Sequence, residues 1–183
     1  MLVSGITRLF CITAICVAAT AMTALPAAAD DRSVCGDTGA PLESKLTACN
    51  RVISGGRYKG KELAFLYTQR AEVYRLKKDW DTAEADFEIA VKINPGDNYV
   101  YLNRAELYRE SGKTDLAISE ATRSINIDPT FPAAYTIRGL AYQKLGDLAK
   151  ARENFNKALS MPKKGSDGEW AQKSARAQLD AMK

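Results

Sequence analysis

Hydrophobic, aromatic and small residues recur along this chain at one constant spacing, the interval that separates Tyr67 from Tyr101 and Tyr101 from Tyr135. Further sets keep the same register as these tyrosines. These sets are Arg70, Arg104 and Arg138; Ala71, Ala105 and Gly139; Tyr74, Tyr108 and Tyr142; Ala83, Ala117 and Ala151; Phe87, Ala121 and Phe155; Ala90, Ser124 and Ala158; and Pro95 with Pro129. A period of about 34 residues is typical of stacked helix pairs. The pattern therefore predicts an all-α chain.

The residue types at these offsets explain why the pairs must stack. Two helices approach closely where small side chains face each other, as we expect at Ala71 and Ala83. Tyr67, Tyr74 and Phe87 then supply bulk that one helix pair cannot bury alone, so each pair needs a neighbour. The pattern predicts an α-solenoid whose core is built from contacts between successive repeats.

The Tyr-x-x-Arg-Ala and Tyr-x-x-Arg-Gly stretches that begin at the three tyrosines resemble the tetratricopeptide repeat family in its bacterial form. The resemblance covers residues 64 to about 162. It implies three helix-turn-helix repeats, at 64–97, 98–131 and 132–162. Asn94-Pro95 and Asp128-Pro129 end the second helices, because proline disfavours helical geometry in the residue before it.

Residues 1–29 predict a secretory signal peptide. Arg8 precedes an apolar run from Leu9 to Leu25, and Pro26-Ala27-Ala28-Ala29 provides a small-residue cleavage site. We expect cleavage after Ala29 and export, to the periplasm if the cell is bacterial. The alternative is an uncleaved inner-membrane anchor, since the run from Leu9 to Leu25 is just at the lower limit, about 17 residues, for spanning a bilayer.

Two cysteines, Cys35 and Cys49, follow the predicted cleavage site. In an exported protein they are expected to form a disulfide. Helical spacing of apolar residues predicts a helix from about Pro41 to Ile53 that carries Cys49, with Cys35 in the preceding loop. The bond would clamp an N-terminal capping segment, residues 30–61. A redox-active or metal-binding pair is the alternative, disfavoured because the chain has no Cys-x-x-Cys spacing and no histidine.

The C-terminal segment, residues 163–183, predicts a capping helix. Ser166-Asp167-Gly168-Glu169 has the spacing of a capping box in front of the apolar residues Trp170, Ala175 and Leu179. One amphipathic helix would close the stack at this end.

Composition gives no support to catalysis or to nucleic-acid binding. After Ala29 the chain carries 25 basic and 22 acidic residues, a net charge of +3, and the basic residues form no stripe. It has no histidine, no glycine-rich phosphate loop and no Gly-x-Ser-x-Gly elbow. We expect no enzymatic activity, no metal and no cofactor.

Function is therefore expected in a surface. The resemblance implies that the first helices line a concave groove, with inward-facing residues at fixed offsets from each tyrosine. These residues are Phe65, Thr68, Gln69, Glu72, Arg75, Tyr99, Leu102, Asn103, Glu106, Arg109, Ala133, Thr136, Ile137, Leu140, Gln143 and Lys144. Leu102, Ile137 and Leu140 would form an apolar floor, while Asn103, Arg75 and Arg109 would hold the backbone or a carboxylate of a peptide.

One ligand mode of the family is missing at the expected positions. The lysine and asparagine clamp that grips the C-terminal carboxylate of heat-shock proteins would need five positions, of which only Asn103 matches. Thr68, Glu72, Ala133 and Ile137 occupy the others. The recurring arginines face Asp86, Glu120 and Asn154 sixteen residues later, which we interpret as structural polar pairs.

These expectations describe an exported adaptor or scaffold that binds a peptide segment of an envelope protein. The alternative is a structural protein that self-assembles into a homo-oligomer, or one tethered to the inner membrane.

Overall fold

The computed structural model describes residues 27–163 and 165–183, and they form nine α-helices without a strand. The bounds of the helices are α1 Ala27–Gly36, α2 Leu42–Ser54, α3 Gly60–Leu76, α4 Trp80–Ile93, α5 Asn98–Glu110, α6 Thr114–Ile127, α7 Pro132–Lys144, α8 Leu148–Leu159 and α9 Gly165–Ala181. The all-α prediction is confirmed, and the repeats consist of α3–α4, α5–α6 and α7–α8. The first of them begins at Gly60, ahead of the predicted position 64.

The helix pairs stack as an α-solenoid. Each first helix contacts its own second helix and the first helix of the next repeat, whereas within the described chain α4, α6 and α8 do not contact one another. The first helices therefore lie side by side on the inner face, and the second helices are splayed on the outer face. Small residues at the helix contacts, including Ala71, Ala83, Ala105 and Ala117, are fully buried.

The turn inside each repeat uses one left-handed residue at the same register. Gly112 and Gly146 have φ of 86° and 81°, and Lys78 takes the equivalent place with φ of 61°. Such a conformation favours glycine because it lacks a Cβ atom. The turn is thus the same in all three repeats, although only two of them have the glycine.

A disulfide between Cys35 and Cys49 joins the first two helices, as predicted. The expected loop position of Cys35 is wrong, because Cys35 lies in the last turn of α1. Both cysteines are fully buried and pack with Ala48, Val52 and Leu66. The N-terminal cap is therefore a helix pair that packs on α3.

At the other end, α9 packs against both α7 and α8. It takes the place that the first helix of a fourth repeat would have. Ala171 and Ala175 are fully buried in the same cluster as Ile137 and Phe155. The helix begins at Gly165, so Ser166 lies inside the first turn and does not precede it as the capping-box prediction required.

The predicted signal segment and membrane anchor fall on residues outside those described, apart from residues 27–29, which begin α1. Within 27–163 and 165–183, no helix is long and apolar enough to cross a bilayer.

Candidate functional site

A cavity of about 290 Å³ opens on the inner face where α5, α7 and α9 meet. Its lining consists of Tyr99, Leu102, Asn103 and Glu106 from α5, Ala133 from α7, and Asp167 and Trp170 from α9. We call it the inner pocket. Five of these residues were predicted to line the groove, so the structure brings the central part of the predicted site together.

Two aromatic side chains give the inner pocket its apolar walls. Tyr99 and Trp170 remain 47% and 44% exposed. Tyr99 packs against Phe131 with ring centroids 4.8 Å apart, and Phe131 is buried. The Tyr99 ring is thus supported from behind while its other side stays open. Three residues were predicted to form an apolar floor. Within the described part of the chain, Leu102 alone among them lines the pocket, and it is 7% exposed.

The charges that line the inner pocket are both negative. Glu106 and Asp167 contribute carboxylates, and among the described residues no basic side chain lines the cavity. Burial and the nearby Asp167 carboxylate raise the pKa of the Tyr99 hydroxyl. Asp167 forms no salt bridge with any described residue, while Glu106 pairs with Arg109 at 3.1 Å.

The predicted ligand-binding arginines lie beside the inner pocket and are already paired. Arg75 Nη2 donates to Glu72 at 2.9 Å, and Arg75 Nη1 donates to Glu110 at 2.7 Å. Arg109 Nη2 donates to Glu106 and, at 3.4 Å, to Glu110. That these two arginines hold a carboxylate stays a prediction, and such a ligand would have to compete with the acidic neighbours on α3 and α5.

The pKa values of two groups in this charged network are shifted. The pKa of Glu72 is raised, since the loss of water around its carboxylate outweighs the opposing bonds from Arg75, and Glu106 repels it. The hydrogen bonds and charges of the surrounding carboxylates raise the pKa of Arg75 against its own burial. The network links α3 to α5 through Arg75 and Glu110 and pairs the two cations that were predicted to bind a ligand.

Three predicted groove residues are packing residues. Thr68, Thr136 and Ile137 are buried. The Thr68 hydroxyl donates to the carbonyl of Ala64 at 2.9 Å, and the Thr136 hydroxyl lies 3.2 Å from the carbonyl of Ala171. The prediction fails for Thr136 and Ile137 because α9 covers α7.

The remaining predicted residues are distributed along the inner face away from the pocket. Phe65 packs in the N-terminal cluster with α1 and α2. Gln69 accepts a bond from Lys45 at 2.9 Å, Gln143 donates to Gln178 at 3.0 Å, and Lys144 donates to the carbonyl of Arg109 at 3.1 Å. Leu140 is half-buried against the core.

Two residues that line the inner pocket, Asp167 and Trp170, were not predicted as groove residues. Both lie on α9, which was interpreted as a cap and not as part of the groove. The signal was present, since Asp167 stands one repeat period after Ala133 and Trp170 stands one period after Thr136. Extending the period into the last helix would have placed both of them on the inner face.

No group of three or more residues that could hold a metal ion occurs among the described residues. The site can offer aromatic surface, carboxylates and an amide. It is therefore suited to noncovalent recognition.

Comparison with protein families identifies the repeats in the second half of the chain. Models of the tetratricopeptide repeat match residues 99–131 and 132–161. Neither match includes α3 and α4, whose equivalence to the later pairs is seen in their packing and turn geometry. Comparison with the curated proteins finds no match.

Solved structures show the same fold at low sequence identity. The first TPR of Spaghetti (RPAP3), bound to the HSP90 peptide SRMEEVD, is 18% identical over 68% of this chain and 99% of that chain, with a TM-score of 0.55. The Arabidopsis OM64 TPR domain is 24% identical over 64% and 98%, with a TM-score of 0.54. MamA MSR-1 C2 is 15% identical over 85% and 86%, with a TM-score of 0.60.

Proposed function

This chain is a tetratricopeptide repeat protein, and we propose that it is a noncatalytic adaptor or scaffold that binds a segment of another protein on its inner face. The observation that carries the proposal is the inner pocket. Exposed aromatic rings held by a rigid scaffold are the residues that most often anchor a partner. Here Tyr99 and Trp170 lie on two different helices of the stack and open into one cavity.

The bound segment carries a lysine or arginine side chain. The inner pocket combines two aromatic faces with the carboxylates of Glu106 and Asp167, and its described lining has no basic residue. A cation close to an aromatic face gains about 0.5–2 kcal/mol, the larger value when water is excluded. Asp167, which forms no salt bridge with a described residue, adds attraction of the same sign, while Glu106 is already paired with Arg109. A basic side chain therefore fits this cavity better than an acidic one.

The charge of the inner pocket does not suit an acidic peptide of the kind that the Spaghetti domain binds. The Spaghetti domain binds SRMEEVD, which contains three acidic residues. In this chain the basic residues beside the pocket, Arg75 and Arg109, are engaged by Glu72, Glu106 and Glu110. A ligand rich in carboxylates would meet the carboxylate of Asp167, which forms no salt bridge with a described residue. This difference supports a basic ligand segment.

The proposed place of action is the cell envelope, after export. The apolar run behind Arg8, the Ala-x-Ala ending and the Cys35–Cys49 disulfide support this proposal together. Sequencing the N-terminus of the protein recovered from the periplasm tests it. A chain that starts at Asp30 is the expected result, whereas an intact N-terminus in the membrane fraction would indicate the anchored alternative.

A photo-crosslinker at Tyr99 tests the binding proposal in the cell that makes the protein. We expect capture of a heterologous protein through a segment that contains lysine or arginine. A synthetic peptide of that segment should bind the purified protein, and Trp170→Ala should weaken the binding about 30-fold or more, as expected for a central aromatic anchor. Asp167→Asn should reduce the salt dependence of the affinity.

A crosslinker at Arg123, exposed on α6 of the outer face, is the matched control and should not capture the same protein. Capture of only further copies of this chain from Tyr99 would replace the adaptor by self-assembly. Captured segments without a basic residue would refute the ligand chemistry but leave the adaptor role in place.

A further inference from the structure

One arginine recurs in all three repeats, but its partner changes in the third. Arg70 donates from Nε and Nη2 to the carboxylate of Asp86, at 2.7 and 2.8 Å. Arg104 donates from the same two nitrogens to Glu120, at 2.9 and 2.5 Å. The interpretation as structural polar pairs is confirmed for these two, which are half-buried or buried ion pairs, and Arg138 likewise pairs with Asn154.

In the third repeat the arginine is held by neutral groups. Arg138 Nε donates to the amide oxygen of Asn154 at 2.8 Å, and Nη1 donates to the hydroxyl of Thr122 at 3.2 Å. The Asn154 amide nitrogen is turned away and donates to the carbonyl of Lys150 at 2.8 Å. The guanidinium is thus fixed in place, as in the other repeats, but its charge has no carboxylate partner among the described residues.

A cavity of about 360 Å³ lies at this arginine, between α7 and α8. Arg138 and Lys157 line it with two positive charges, Glu153 with one negative charge, and Asn156 and Ser160 with further polar groups. Lys157 forms no salt bridge within the described part of the chain. The ring of Tyr135, whose centroid is 5.5 Å from the Arg138 guanidinium carbon, forms a further wall.

We propose that Arg138 and Lys157 form an anion-binding site at the α7–α8 junction that takes a single oxyanion group, the carboxylate of an acidic side chain or a phosphate. In the first two repeats the carboxylates of Asp86 and Glu120 accept from both Nε and Nη2. In the third repeat Asn154 takes Nε, and Nη2 of Arg138 donates to no described residue. A fixed guanidinium with a free Nη2 donor, in a cavity that Lys157 also lines, suits an oxygen of either group. This site is separate from the inner pocket.

Titration with short blocked peptides tests the site on the oxidised protein purified from cells that express the full chain. The probes are acetyl-Gly-Asp-Gly-amide, the same peptide with phosphoserine, and the same peptide with asparagine. Binding is followed by the NMR shifts of the Arg138 Nε–H and the Ser160 amide, and by calorimetry. We expect the aspartate peptide, the phosphoserine peptide or both to bind, which identifies the source of the anion, and the asparagine peptide to shift nothing.

The decisive variant is Asn154→Asp, which supplies the carboxylate that the other repeats have. It should keep the helical content and weaken anion binding about tenfold or more, since a charge-assisted bond is lost. Arg138→Gln should have the same effect on binding. Lys150→Gln is the matched control, because Lys150 pairs with Asp147 outside the cavity lining, and its affinity should be unchanged.

Two results would overturn the proposal. One is the absence of binding by either charged peptide to the wild-type protein. The other is equal affinity of the wild type and the Asn154→Asp variant, which would mean that the anion binds to surface charge elsewhere.

Discussion

Gly139 on α7 is the position where one added methyl group tests the packing of the third helix pair. A Cβ atom there would lie 2.7 Å from Cε1 and 2.9 Å from Cδ1 of Phe155. Phe155 is fully buried, so its ring cannot turn into solvent to relieve the contact. Either the ring leaves its preferred rotamer or α7 and α8 move apart.

Two opposing effects set the size of the change in a Gly139→Ala variant. Alanine in a helix interior is favoured over glycine by about 1 kcal/mol. Overpacking a well-packed core costs about 1–3 kcal/mol. The second effect is the larger because the nearest contact is with a buried ring. We therefore expect a net loss of about 1 kcal/mol in the free energy of unfolding.

Urea unfolding of the oxidised protein, followed by far-ultraviolet circular dichroism, measures this loss. The control is the same change in a Phe155→Ala background, where the clash is absent and alanine should stabilise by about 1 kcal/mol. The second repeat combines Ala105 with Ala121 at these positions, whereas the first repeat accommodates Ala71 with Phe87. The expected loss therefore depends on the present closeness of Gly139 to the Phe155 ring. A Gly139→Ala variant that is more stable than the wild type would refute the close approach of α7 and α8.

Two further predictions concern the N-terminal cap and the charged network. Replacing Cys35 or Cys49 with serine should lower the free energy of unfolding by about 3 kcal/mol, because the bond closes a loop with a sequence separation of 14; thermal unfolding of oxidised and reduced wild type is the control, and an unchanged melting temperature would contradict a structural role. Burial raises the pKa of Glu72, so its contribution to stability is present below the ordinary glutamate pKa and is lost as pH rises through the raised value. In Glu72→Gln the fall in the free energy of unfolding with rising pH should be smaller than in the wild type. Denaturant unfolding at a series of pH values above the ordinary glutamate pKa measures this fall. An unchanged dependence of stability on pH would mean that another group causes it.

The architecture could be predicted from the sequence because a periodic signal is repeated three times. Tyr67, Tyr101 and Tyr135 fix the register, and each repeat confirms the others. The sequence does not predict α1, because the apolar side of this short helix is recognisable only when α2 and α3 are present to pack on it.

The site was predicted less well than the fold, for a physical reason. An inward-facing offset gives the direction of a side chain but not what covers it. Ile137 has the same offset as Asn103, yet Ile137 is buried by α9 and Asn103 lines the inner pocket. The pairing of Arg75 with Glu110 crosses between repeats, so no single helix pattern could reveal it.

The two terminal helices of the solenoid are attached differently, so we expect local unfolding to start at one end and not at the other. Each helix contacts only near neighbours, so order is lost first at an end. A covalent bond holds α1 to α2, whereas α9 is held by buried alanines and a few hydrogen bonds. Fraying of α9 would remove Trp170 and Asp167 from the inner pocket while α3 to α6 stay folded. Ligand affinity would then depend on the local stability of one terminal helix, and a bound ligand would slow amide hydrogen exchange there before anywhere else.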